Sequence, residues 1–263
     1  MKFKLLCAAF LLVTSAFAQV QWGLCAGFNL SNLSDIDKYD WAISDEALVD
    51  YKLKLGFSLG VSAYVPINNT LGIETGLHFQ QLGARLETSI YEEDSYYSDD
   101  DITEGKVKIK LNYLQVPILA SYTLPVKVDW KLQAGPYLAV AVSGKVKGEM
   151  DETYTSYEYN SKNGKYENVT KTEHSEGEQK IFDDDVINRY ISDEFGNGSK
   201  YESHRFDFGW LLGSSVTLNK FVFGVHYQFG MVSVAKITSN SKDFSDEWNL
   251  KNRCLHISFG VNF

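Results

Sequence analysis

From position 51 the chain reads YKLKLGFSLGVSAYVP. Tyr51, Leu53, Leu55, Phe57, Leu59, Val61, Ala63 and Val65 fall on one side of an extended chain. Lys52, Lys54, Gly56, Ser58, Gly60, Ser62 and Tyr64 fall on the other. Successive strand side chains point to opposite faces, so this period of two predicts a strand of about fifteen residues, long for a globular domain. Similar alternation begins near Gln21, Leu71, Lys106, Trp130, Arg205, Phe221 and Leu250, which gives eight predicted strands. Their connections alternate in length. PINNT (66–70), PVKVD (125–129) and Asn219-Lys220 are short, whereas 31–50, 88–105, 149–204 and 233–249 are long.

Asn tolerates the positive φ of a type I′ turn, so Asn219-Lys220 predicts a two-residue hairpin with a definite register. Leu218 then faces Phe221, Ser215 faces Gly224, Gly213 faces His226 and Leu211 faces Gln228. Turn geometry and hydrophobic phase agree independently. With PINNT as a five-residue turn, Tyr64 faces Gly72, Ser62 faces Glu74, Ser58 faces His78 and Gly56 faces Gln80. Large polar-face residues sit opposite small ones, which suits a cramped interior.

Eight long alternating strands fit two architectures. A soluble up-and-down barrel buries its apolar face inside; a membrane barrel turns that face to lipid. The apolar face carries Leu53, Leu55, Phe57 and Leu59, then Phe206, Phe208, Trp210 and Leu212, then Phe221, Phe223, Tyr227 and Phe229. An eight-stranded interior is only just filled by side chains and has no room for so many rings. The expected fold is therefore all-β, an eight-stranded antiparallel up-and-down transmembrane barrel. Short periplasmic turns and long extracellular loops match the alternating connections. Trp22, Tyr122, Trp130, Phe221 and Phe263 cluster at the short-turn end, where an interfacial aromatic girdle belongs. The chain closes on LHISFGVNF, an alternating strand that runs to its last ring. A barrel whose last strand pairs with its first has no free edge in hydrocarbon, and Phe263 is the expected assembly signal.

Composition adds location. MKFKLLCAAFLLVTSAFAQ has Lys2 and Lys4 in its n-region, a short apolar run from Leu5 to Val13, and Ala16-Phe17-Ala18 before Gln19. This predicts a secretory signal over 1–18 and a barrel domain over 19–263. Loss of the two lysines takes the formal net charge from −9 to −11, which disfavours nucleic acid as a partner. Beyond the signal no apolar run approaches the ~18 residues of a membrane helix. Cys25 and Cys254 fall on neighbouring strands in the polar phase. Their vertical offset exceeds the ~7 Å Cα reach of a disulfide, so free thiols are expected.

GLCAGFNLSNLS, LKLGFSLGVSAYVPI, LGIETGLHFQQLGAR, LNYLQVPILASYTL, WKLQAGPYLAVAVSGKVKG and DFGWLLGSSVTLNKFVFGVHYQFG together resemble the PorT-like, porin-family outer-membrane β-barrel domain of Bacteroidetes. The most specific parts are Tyr113-Leu114 with Pro117 and the run Gln133 to Tyr137. The resemblance implies a fold and an outer-membrane location, with no assigned activity.

Inward polar candidates are Glu74, His78, Arg205, Asp207, His226 and His256. A His–carboxylate pair can do acid–base work. With no nucleophile elbow and a crowded interior, these residues are expected as a structural network, Arg205, Lys52 and Lys54 matching Glu74 and Asp207. GNGSK (196–200) lacks phosphate-loop spacing, and the DDD runs at 99–101 and 183–185 lack calcium-loop spacing. No catalytic residue, cofactor or metal ligand is implied. The long connections carry net charges of about −5 (31–50), −6 (88–106), −8 (149–204) and −1 (233–250). They are dense in tyrosine: Tyr91, Tyr96, Tyr97, Tyr154, Tyr157, Tyr159, Tyr166, Tyr190 and Tyr201. Such a composition suits recognition. The expected protein is a non-enzymatic structural or surface-interaction barrel with a filled lumen. Its expected partners are outer-membrane lipid, the assembly machinery and an extracellular ligand at the loops. The alternative is a channel or secretion-associated component.

Overall fold

The computed structural model describes residues 20–34, 47–92, 101–161, 164–182, 200–241 and 244–263. The expected signal segment, with Ala16, Ala18 and Gln19, lies outside them. So do Tyr96, Tyr97, Tyr190, Asp99, Asp100, the run 183–185 and 196–199. The strands are β1 (Gln21–Leu33), β2 (Ala47–Lys52), β3 (Lys54–Pro66), β4 (Leu71–Glu92), β5 (Asp101–Thr123), β6 (Asp129–Asn160) and β7 (Lys165–Lys180). They continue with β8 (Lys200–Ser203), β9 (Phe206–Leu218), β10 (Phe221–Gly230), β11 (Ala235–Ser241), β12 (Phe244–Leu250) and β13 (Asn252–Asn262).

Eight of these strands form a closed antiparallel ring, in the order β1, β3, β4, β5, β6, β9, β10 and β13, with β13 pairing back onto β1. The closing ladder runs from Gly23↔Asn262 to Leu33↔Asn252, and the Phe263 amide still donates to the Trp22 carbonyl at 2.8 Å. The expected fold class is the observed one. No helix among the described residues is long and apolar enough to cross a membrane; the crossing elements are strands.

The faces are inverted relative to a soluble barrel. Along β9, Phe206 and Trp210 are 71% and 47% exposed, whereas the intervening Asp207 is 2% exposed. The girdle residues Trp22, Tyr122, Trp130, Phe221 and Phe263 are all exposed at the short-turn end. Phe221 and Phe259 stack on the outer surface with ring centroids 5.7 Å apart.

The β9–β10 hairpin has the register that its sequence predicts: Leu218↔Phe221, Ser215↔Gly224, Gly213↔His226 and Leu211↔Gln228. Asn219 takes a φ of 57°, the left-handed region that an Asn side chain tolerates. The β3–β4 hairpin corrects the expected register by two residues, pairing Tyr64 with Glu74, Ser62 with Gly76, Gly60 with His78 and Ser58 with Gln80. The turn is tighter than five residues. Ile67 N donates to Leu71 O at 2.8 Å, and Asn68 Oδ1 accepts from the Thr70 and Leu71 amides. A two-residue slip preserves the face of every side chain, so periodicity alone could not detect it. The size rule survives diagonally, because the Tyr64 ring covers the place where Gly72 would carry a Cβ.

Two further corrections concern the end with long connections. The alternation from Tyr51 breaks at Leu53, where β2 and β3 meet β4 in registers one residue apart (Lys52↔Arg85, Ser58↔Gln80). Tyr51 therefore packs against the interior cluster instead of facing outward. Long stretches expected as loop are strand: β4 and β5 pair as far as Glu92↔Asp101, and β6 and β7 form a ribbon from Lys145↔Lys180 to Asn160↔Lys165. At ~3.3 Å per residue that ribbon is roughly 50 Å long. Three short strands, β8, β11 and β12, make a separate sheet.

Where β4 leaves the ring, Gly83 has φ +142°, and a Cβ there would meet the Ile109 carbonyl oxygen at 1.9 Å. Gly148, on the ribbon, has nothing within 4 Å of its Cβ position. Gly83→Ala should lower the unfolding free energy in detergent by about 1–3 kcal/mol. Gly148→Ala should change it by less than about 0.5 kcal/mol. Denaturant titration of the two variants followed by tryptophan fluorescence checks this.

Candidate functional site: the lumen and the projecting ribbon

The lumen is lined in layers by the inward phase of each strand. In the layer toward the long connections, Asp207 on β9 accepts hydrogen bonds from Tyr137 Oη on β6 (3.1 Å) and Asn252 Nδ2 on β13 (2.8 Å). Asn252 Nδ2 also reaches Tyr113 Oη on β5 at 3.2 Å. These contacts cross the barrel, and all four residues are at most 2% exposed. The Tyr113-Leu114…Pro117 and Gln133–Tyr137 segments thus contribute their tyrosines to one buried network.

The middle layer holds His78, His226 and His256. His226 Nε2 lies 2.8 Å from Gln133 Oε1, and Gln133 Nε2 donates to Glu74. His256 Nε2 lies 2.7 Å from Ser58 Oγ. That pair spans β1 above Gly27, where a Cβ would meet His256 Nε2 at 2.6 Å and Ser58 Oγ at 3.0 Å. Gly27 is the sequence signal for it, and it shows only once the registers of β3 and β13 on β1 are known. A Ser–His contact of this length is what an activated nucleophile needs, but both partners are buried, at 2% and 8% exposure. His78 Nδ1 stands 3.7 Å from the Cys25 thiol. Cys25 and Cys254 are both free, and their positions on the β1–β13 ladder (Cys25↔Gly260, Ser31↔Cys254) lie six residues apart.

Toward the short turns, a cavity of about 80 Å³ is lined by Glu74, His78, Lys131, Gln133, His226 and His256, among others. Lys131 is 7% exposed, stands 3.9 Å from the centre of the Tyr64 ring and reaches Asp129 at 3.5 Å.

The predicted charge partners do not form. Arg205 is exposed and outside the lumen; it donates to the Phe182 carbonyl at 3.0 Å, with its guanidinium 5.1 Å from the Phe182 ring centre. The alternation of β9 starts at Phe206, so the phase assigned to Arg205 extended one residue past the strand. Lys52 pairs with Glu87 and Asp50 on the outer surface. The Lys54 ammonium has no hydrogen-bond partner among the described residues. Neutral donors hold Asp207, and Gln133 holds Glu74.

Above the polar layers lies an apolar cluster that sequence reading missed. Leu82, Ala84, Leu111, Ala139, Ala141 and Leu211 occupy inward positions and are at most 5% exposed. Leu33, Ile181, Val234 and Leu250 join them from the connecting segments. The signal was present, since these apolar residues stand in the otherwise polar phase. Past Ala141 a β-bulge opposite Asn112/Tyr113 moves the inward series of β6 to Gly144.

The β6–β7 ribbon carries much of the tyrosine. Tyr157 stacks on Tyr166 at 5.3 Å, and Tyr159 meets the same ring at 5.1 Å. Thr153–Thr172 and Thr155–Thr170 are cross-strand hydroxyl pairs at 3.1 Å. The Asp151 carboxylate, 2.5 Å from His174 Nδ1, holds that imidazole above its ordinary pKa. No group of three or more metal-ligating side chains occurs among the described residues.

The family described as "Outer membrane protein beta-barrel domain" matches residues 17–236. No curated protein matches the chain. Among solved structures, Ail, the attachment invasion locus protein of Yersinia pestis, is 13% identical with a TM-score of 0.34, covering 93% of this chain and 99% of that one. Neisserial surface protein A is 12% identical with a TM-score of 0.31, covering 93% and 97%. The outer membrane protease OmpT from Escherichia coli is 7% identical with a TM-score of 0.22, covering 93% and 95%. With its closed inverted barrel and a family match over most of its length, the chain belongs to the outer membrane protein beta-barrel domain family.

Proposed function

We propose that this outer-membrane barrel has a filled, non-conducting lumen and serves as a structural or surface-interaction protein through the ribbons at its long-connection end. The observation that carries the reading is the occupation of the lumen by side chains. An apolar cluster lies across one end, cross-barrel hydrogen bonds lie beneath it, and the cavity toward the short turns is about 80 Å³. An interior of that kind offers no continuous water path. The Ser58–His256 contact reads as an interior hydrogen bond, because both side chains are buried, at 2% and 8% exposure.

In this reading residues 1–18 are a cleaved signal, and the termini and short turns face the periplasm. The connections 31–50, 88–105, 149–204 and 233–249 lie outside the cell. The acidic, tyrosine-bearing ribbon then presents a hydrated and preformed surface to an extracellular ligand. Phe263, at the end of the closing strand, serves as the assembly signal. The Tyr113-Leu114…Pro117 and Gln133–Tyr137 motifs support placement in the PorT-like group of Bacteroidetes.

Planar-bilayer recordings of the full chain, and of a chain with 150–175 deleted, should stay at background. Large stable steps from either would reinstate the channel or secretion-associated reading. Orientation has its own test on intact cells. External protease should cut within 149–204 and leave the barrel whole, and a Lys220→Cys variant should resist an impermeant maleimide. Labelling of that variant from outside would reverse the topology.

A further inference from the structure

The outward face changes character abruptly above the hydrocarbon belt. On β4, β5 and β6 the apolar outward series reaches Phe79, Leu114 and Val140, with Val142 added at the bulge, and is followed by a polar row of Gln81, Asn112 and Ser143. Two rows of cations come next. Lys110, Lys145 and Lys180 lie side by side across β5, β6 and β7. Lys52, Arg85, Lys108 and Lys147 lie side by side across β2, β4, β5 and β6. Every neighbour within each row is a directly opposed register pair. Like charges placed directly opposite on one face of a sheet repel, so these five pairs call for anions beside them.

Acidic residues offset this on one side only. Lys108 and Lys147 reach Glu149 at 3.0 and 3.1 Å, and Lys147 reaches Glu176 at 2.9 Å. Lys52 and Arg85 share Glu87, and Lys145 meets Glu178. Apart from Glu178, which sits level with Lys147, these carboxylates lie one row further from the belt. Lys110 and Lys180, in the row nearest the belt, make no ion pair among the described residues. The side of the band that faces the membrane is left without anions. Lysine and arginine stems lie readily along apolar surface while the charge reaches the interface.

We propose that this two-row basic band binds the phosphate groups of lipid head groups in the leaflet at the long-connection end. One polar row separates the band from the lipid-facing belt, and the charge of the band is opposite to that of a phosphorylated head group. Several strands contribute to each row, so one lipid bearing two phosphates can bridge neighbouring strands and offset the opposed cation pairs. The site depends on the barrel spanning a membrane and on no particular role for the ribbon.

The test is native mass spectrometry of the full chain folded in neutral detergent. The probes are a diphosphorylated diglucosamine glycolipid, the same glycolipid without its phosphates, and inorganic phosphate. The folded chain should retain the phosphorylated glycolipid tenfold or more in preference to the dephosphorylated form, on the order of the effect of a few basic residues at an anionic surface. Inorganic phosphate should not displace it. The Lys108→Gln/Lys110→Gln/Lys145→Gln variant should lose the preference while keeping the heat-dependent gel mobility of a folded barrel. The corresponding triple Lys→Arg variant should keep it, as should Lys127→Gln/Lys220→Gln at the opposite end. An unchanged preference in the glutamine variant overturns the proposal. So does an equal loss in the Lys127/Lys220 control, or displacement by inorganic phosphate.

Discussion

Every backbone amide and carbonyl placed in hydrocarbon must find a partner within the protein, at a cost of several kcal/mol for each one that does not. An open sheet edge cannot meet that condition, and the pairing of β13 with β1 removes the edge. The other main features follow from this closure. The apolar phase of each strand is turned outward to a solvent that accepts it. The polar phase is confined to an interior whose width is set by eight strands, and the chain must supply residues that fit there.

The fit is achieved by pairing bulk with its absence. His226 lies against Gly213 and Gly224, His78 against Gly60 and Gly76, and the Tyr64 ring over Gly72. Polar groups then find partners across the lumen, as Asp207 does with Tyr137 and Asn252. Toward the long connections the interior turns apolar, and Leu82, Leu111 and their neighbours pack with segments folded in from Leu33, Ile181 and Val234. Beyond that cluster the walls continue as ribbon, where water satisfies both faces and Thr, Tyr and charged pairs replace buried area. Buried ions in a space this narrow would cost several kcal/mol each without close partners. Most of the cations stand instead on the outer surface.

What was legible in the sequence is what repeats with a period of two. The inverted faces, the girdle residues and the Asn219 hairpin all follow from alternation joined to turn chemistry. What was not legible breaks that period or lacks a face. The break at Leu53 adds one residue, so the period of β3 carried back past it puts Tyr51 on the lipid face, and the bulge at Asn112/Tyr113 shifts β6 in the same way beyond Ala141. The β3–β4 slip of two residues leaves the pattern unchanged. The β6–β7 ribbon reads as loop in the sequence because the alternation signal needs one buried face, and this ribbon has exposed or half-exposed residues on both. Arg205 falls in the inward phase only if β9 is extended one residue before its start at Phe206. The Ser58–His256 contact needs two registers on β1, which no local pattern encodes.

Closure of the ring is the claim on which the rest depends, and proton-detected solid-state NMR of the full chain in lipid bilayers tests it most directly. The account predicts cross-strand amide contacts between Leu24 and Val261, Phe28 and Ile257, and Leu30 and Leu255, together with slow hydrogen exchange along both β1 and β13. Absence of those contacts, with rapid exchange on the outward edges of these two strands, would mean an open sheet and contradict it.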